Sequence, residues 1–204
     1  MKAQDAIFEK LRRGIFKELL KANLHFDIFW KLRTAPREVS NIRNVYLTFF
    51  VYTMWAHHDR FCIAIYNVTK HDSNTSNFPR LLNYVKSSAT LSKVFLSDQI
   101  DNIFDTLSRH DDLIRRITIA RNRYIAHNQL EKRHLGITLK YKYEEGRNLL
   151  GDLTKMFNTL SRQYDRQSFY FDIIPHLNIE DMLNDLTKYR QFQLNNFKRL
   201  ANQP

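Results

Sequence analysis

Glycine and proline are scarce, with four of each in 204 residues. A chain with so few breakers cannot turn every ten residues, which argues against a sandwich or barrel and for long helices. It has no glycine-rich phosphate loop and no Gly-x-Ser-x-Gly elbow, so nucleotide triphosphatases, dinucleotide-binding enzymes and α/β-hydrolases fall away together. Cysteine occurs once, as Cys62 in an apolar run. No intrachain disulfide is possible, which suits a reducing cytoplasm, and the thiol reads as a buried structural group rather than a nucleophile. Eight histidines are present, but none sits in a His-x-x-x-His, His-Glu-x-x-His or Cys-His cluster. His57 and His58 are adjacent and point about 100° apart on a helix, so they cannot share an ion. No metal and no cofactor is expected. The longest apolar run, 45–56, stops at His57-His58-Asp59-Arg60. It is too short to span a bilayer. The first residues are amphipathic, not the apolar core of a signal peptide. The expected location is cytoplasmic, with no membrane partner.

Basic residues are plentiful. Lys and Arg number 32 against 21 Asp and Glu, a formal net charge of +11. Such a surplus implies an anionic partner, nucleic acid first and a membrane surface second. Hydrophobic residues reach 43% and aromatics 13%, enough for a real core.

In chain order, residues 4 to about 33 read as a long amphipathic helix, with Ile7, Phe8, Leu11, Ile15, Leu19 and Leu20 as its apolar stripe. Pro36 ends it. Residues 40–69 read as a second long helix, capped by Ser40 or Asn41. It is apolar around most of its girth, as the central helix of a bundle would be. A polar loop follows, from His71 to Pro79. Shorter helices are expected over 80–86 and from a Ser97-Asp98 cap to about Arg109. Asp111-Asp112 opens a further helix with Leu113, Ile117, Ala120 and Tyr124 as its core stripe. Residues 129–146 read as a loop of extended character, with one short edge strand. Two more helices follow, 147–163 and one from an Asn178 cap to about Leu200. The expected fold is a single all-α domain over 1–204, a bundle of five to seven helices. Tyr141 and Tyr143, set among lysines, could stack bases, but core packing is the simpler role.

The stretch Ala120-Arg121-Asn122-Arg123-Tyr124-Ile125-Ala126-His127-Asn128 places polar groups inside an otherwise buried helix, where they are costly without a purpose. Its residue types suit metal-free RNA cleavage. A histidine titrates near neutrality and can move a proton, and an arginine holds a phosphate by paired donors. On an ideal helix Arg121 and His127 lie about 120° apart. One helix does not aim both at one phosphate, whereas two such helices across a two-fold axis could, with Ala120 and Ala126 permitting close approach. The plain alternative is a chance pairing, with His127 a satisfied core histidine and Asn122 bridging backbone.

The whole string resembles the HEPN superfamily signature, Arg followed after four to six residues by His, with a polar residue directly after the Arg. The alanine before His127 is similar to the abortive-infection, U-type branch. The resemblance implies an all-α bundle, a dimer, and metal-independent ribonuclease activity in phage defence or toxin–antitoxin systems. It implies that Arg121 binds phosphate, that His127 is the acid and base, and that Asn122 orients groups in the cleft. Arg123 could share the arginine's part. Members paired with a nucleotidyltransferase antitoxin carry Tyr two residues after the His. Here that position is Gln129, which argues against that partner. Arg115, Arg116, Lys132 and Arg133 could steer RNA, or form an ordinary solvated face. The expected partners are RNA, a second copy of the chain, and an antitoxin or larger defence complex. The rival functions are a non-catalytic HEPN module binding RNA, nucleotide or protein, and a basic structural subunit.

Overall fold

The computed structural model describes residues 5–34, 42, 44–71, 74–122, 141–171 and 179–201. Among them are seven α-helices and no strand: α1 (Ala6–Thr34), α2 (Leu47–Thr69), α3 (Phe78–Ser87), α4 (Ser97–Arg109), α5 (Asp111–Ala120), α6 (Tyr143–Asp165) and α7 (Ile179–Ala201). The expected all-α class is what the chain adopts. Among the described residues, no helix is long and apolar enough to cross a membrane.

α1 lies along α2, and α6 covers both. Phe8, Leu11, Ile15, Leu19, Ala22 and Phe26 recur at three- and four-residue steps and are buried in the main cluster. They meet Phe61, Ile65 and Val68 of α2 and Leu149, Leu153 and Phe157 of α6. A second, smaller cluster joins Ile28 and Leu32 of α1, Phe50 of α2, and Ile179 and Leu183 of α7. Ile7, expected in the stripe, is exposed.

Asp5 starts α1. Its Oδ1 accepts from the backbone N–H groups of Ile7 and Phe8, both at 3.0 Å, as an N-cap side chain does. Tyr84 Oη donates to the same carboxylate at 2.8 Å. Burial alone would raise the Asp5 pKa, but the bonds from Phe8, Tyr84 and Ile7 outweigh it and hold it below the usual 3.8. The stability Asp5 contributes is therefore full above that value and lost as pH falls through the lowered one. Asp5→Ala is expected to cost about 1–2 kcal/mol at neutral pH. Urea titrations should show that difference shrinking in strong acid. A constant difference would remove the carboxylate from the account.

Several boundaries differ from the sequence reading, each for a local reason. Phe78 and Pro79 belong to α3 rather than to the loop. Asn77 Oδ1 accepts from Arg80 N at 2.8 Å, and a proline in the first turn has no N–H that needed a partner. Ser97 is the first residue of α4, and the cap position is Leu96. His110 alone separates α4 from α5. α6 starts at Tyr143, not Arg147, because Glu145 Oε2 accepts the Lys142 N–H at 2.7 Å and closes a capping box. It ends at Asp165, with Arg166 left-handed at φ 66°. The edge strand expected within 129–140 lies outside the described residues.

The largest correction concerns α2. Only its second half is core. In and just before the first half, Val45, Tyr46, Leu47, Phe49 and Tyr52 are exposed. Its continuous helix starts at Leu47, with Tyr46 at the cap position. Periodicity cannot tell a helix wrapped by its own chain from one with an apolar face left open.

Where α1 and α2 cross, His25 Nδ1 lies 2.8 Å from His57 Nδ1. One ring must donate and the other accept, so the pair cannot carry two protons. Burial, then His57, Arg60 and Lys21, lower the His25 pKa from 6.5 to about 4. An unfolded imidazole takes up its proton near 6.5 and the folded one only near 4, so acid favours the unfolded chain within that window. NMR titration should show His25 neutral until about pH 4. His25→Gln should flatten the loss of stability between those values. A His25 titrating at its ordinary value would refute the shared proton.

Candidate functional site

The motif begins at the end of α5. The α-helix proper stops at Ala120, and Arg121 and Asn122 continue as a wider π turn. Such single-turn widenings are frequent at functional sites. The phase of an ideal α-helix, used above to separate Arg121 from His127, does not hold across this turn. Arg123, His127, Lys132 and Arg133 lie outside the described residues.

α5 packs against α2 so that Arg121 meets the last turn of that helix. Its guanidinium carbon sits 4.5 Å from the centroid of the Tyr66 ring. Its Nη1 donates to Asn122 Oδ1 at 3.0 Å. Among the described residues, no carboxylate pairs with Arg121. Lys70, one turn beyond Tyr66, places its ammonium 4.7 Å from the centroid of the same ring. Two cations thus share one aromatic ring. Two helix C-termini converge there, and their partial negative charge lessens the repulsion between the cations. The arginine is half-buried, held on a rigid ring, and not neutralised by an acid: an anchored donor fork, suited to a phosphate.

The sequence reading missed Tyr66 and Lys70. Their signal was local, an aromatic and a lysine four apart at a helix end, but only the α2–α5 packing brings them to Arg121. Arg115 and Arg116, considered as RNA contacts, are engaged by acids. Arg115 pairs with Asp112 at 2.7 Å on an exposed face. Arg116 bonds Asp112 at 2.9 Å and Glu145 of α6 at 2.7 Å, and the bond to Glu145 raises its pKa. It braces α5 against α6, which fixes the direction in which Arg121 leaves the helix.

Other reactive groups are structural. Cys62 is fully buried, with its Sγ 3.6 Å from His58 Nε2, and no substrate reaches that pair. Tyr141 is buried, its ring stacked on His58 with centroids 5.9 Å apart. Burial pushes its phenol pKa well up, which fits the core role rather than base stacking. Tyr143 stacks on Phe26 at 5.4 Å. Among the described residues, no three His, Cys, Asp or Glu side chains gather as a metal-binding set.

A helical bundle with the Arg…His string leaving the end of a late helix defines the class as the HEPN superfamily. Within it, the chain belongs to the HEPN AbiU2 family, abortive-infection associated, whose pattern it matches over residues 5–184. No curated protein and no solved structure matches the chain.

Proposed function

We propose that the protein is a metal-independent endoribonuclease acting as a homodimer, in phage defence or a toxin system. The observation that carries the reading is Arg121, held on Tyr66 with no acid against it among the described residues. In an abortive-infection family, that is a phosphate ligand placed beside the histidine of the motif.

The chemistry needs only groups of the chain. His127 takes the proton of a ribose 2′-hydroxyl, whose oxygen attacks the adjacent phosphorus. The phosphorus–5′-oxygen bond breaks, and His127 of the second copy, protonated, supplies the proton to the leaving oxygen. The products are a 2′,3′-cyclic phosphate and a 5′-hydroxyl. Arg121 binds the phosphate through paired donors and favours the charge that builds on it in the transition state. Asn122, bonded to Arg121, keeps the fork turned. Arg123, Lys132 and Arg133, with Arg115 and Arg116 at the edge, form the basic surround that draws RNA in. The partners are RNA and a second copy, restrained in the cell by an antitoxin or a larger defence complex.

The test incubates wild type and His127→Ala with a single-stranded RNA in excess chelator and identifies the ends formed. Cyclic-phosphate ends from wild type, falling about 10²–10⁴-fold in the variant, are expected. Cleavage abolished by chelator, or undiminished in His127→Ala, defeats the mechanism. RNA binding that weakens with salt but leaves the RNA whole would establish the non-catalytic module in its place.

A further inference from the structure

α7 has two halves with different surroundings. The first packs into the smaller cluster through Ile179, Leu183 and Leu186. The second continues to Ala201, whereas the family match stops at residue 184. On this later part Tyr189, Phe192 and Phe197 are 59%, 62% and 66% exposed. At about 150–250 Å² per aromatic side chain, three such rings leave roughly 370 Å² open on one helix. Met182 adds to it on the same edge, two turns before Tyr189. That is near half of the ~800 Å² a standard interface takes from each partner, before the polar flanks and the exposed start of α2 are counted.

The charges of α7 are sorted by sign along its length. Glu180, Asp181 and Asp185 all precede Lys188, and Lys188, Arg190, Lys198 and Arg199 follow. This order suits the helix's own dipole, so it does not by itself require a partner. The exposed aromatics between the two charged ends do. A parallel copy would set acid on acid, and an antiparallel copy sets acid on base. Among the described residues Lys198 and Arg199 make no ion pair, and Glu180 reaches only Lys31, at 3.9 Å.

We infer that α7 pairs with α7 of a second copy, antiparallel about a two-fold axis between Tyr189 and Arg190. In this register residues equally far from the axis oppose one another. Met182 meets Phe197, Glu180 and Asp181 meet Lys198 and Arg199, and the two Tyr189 rings lie next to the axis. The contact is isologous, so it closes on two copies. It deepens the two-copy reading above by naming a surface, and it does not depend on cleavage.

Sedimentation equilibrium on the full chain tests it. Wild type is a dimer, and Phe192→Asp with Phe197→Asp raises its dissociation constant by at least ~100-fold, both positions being exposed hot-spot aromatics. Lys198→Glu with Arg199→Glu weakens it about tenfold, and adding Glu180→Lys with Asp181→Lys restores it. Tyr189→Cys forms a covalent dimer on mild oxidation, with the buried Cys62 not competing. A monomeric wild type overturns the pairing. So does a dimer indifferent to the Phe192 and Phe197 changes whose Tyr189→Cys variant does not cross-link. In that second case, RNA cleavage lost in His127→Ala leaves the ribonuclease reading standing while the α7 pairing falls.

Discussion

Arg121→Ala is expected to slow RNA cleavage by about 10²–10³-fold, the loss usual when one donor to a developing oxyanion is removed. The guanidinium favours charge that grows during the reaction, so the loss should fall on the turnover step more than on RNA binding. Many other basic residues bind the backbone. Arg121→Lys keeps the charge but not the planar fork, and should recover only a small part of the rate. Tyr66 is a positioning residue and gives a finer readout. Tyr66→Phe keeps the ring under the guanidinium and should change little. Tyr66→Leu removes the face that the guanidinium rests on and should cost up to about tenfold, given about 0.5–1 kcal/mol for such a contact at an exposed site and more where it is desolvated. Single-turnover kinetics on a short RNA, with thermal melts to confirm folding, make the measurement. An Arg121→Ala variant within threefold of wild type would take the arginine out of the mechanism. Equal losses in Tyr66→Phe and Tyr66→Leu would mean that the hydroxyl, not the ring face, matters.

How far the sequence could be read depended on whether a property is local. Helix identity came through because the apolar step in α1 and the near absence of glycine and proline are properties of neighbours along the chain. The motif came through for the same reason: Arg121 and Asn122 stand in one string. What failed needed the third dimension. Phe49 and Tyr52 are as apolar as Phe61, and no pattern within α2 distinguishes the buried ring from the open ones. Arg116 read as a free cation because Glu145 is 29 positions away in sequence. Tyr66 and Arg121 are 55 residues apart by their numbering, and only the packing of α5 on α2 joins them. Helix starts slipped where the cap was unusual. At α6 the decisive bond is a glutamate reaching back to the Lys142 N–H, and Lys142 is not a residue that marks a cap.

Phe26→Ala is expected to destabilise the fold by about 3–5 kcal/mol, the range for emptying a buried aromatic site. Against a typical total of about 5–15 kcal/mol, that is a large fraction. The size follows from where the ring stands. Phe26 is fully buried on α1, with the Phe61 ring of α2 at 5.1 Å and the Tyr143 ring of α6 stacked at 5.4 Å. Three helices meet at one side chain, so its loss opens a cavity that no single neighbour can refill. The opposite side of this junction is equally tight. A Cβ added at Gly146 would fall 2.5 Å from Phe26 Cε2, so Gly146→Ala should also destabilise, by about 1–3 kcal/mol through overpacking. If the two sites are coupled, combining them tells: the bulk added at Gly146 occupies space vacated at Phe26, and the double variant should be more stable than the sum of the single costs predicts. The coupling reaches the candidate site, because Glu145, adjacent to Gly146, is the residue that braces Arg116 and hence α5. Urea unfolding of the two single variants and the double one gives the answer. Strict additivity would mean that α6 meets α1 somewhere other than at this ring.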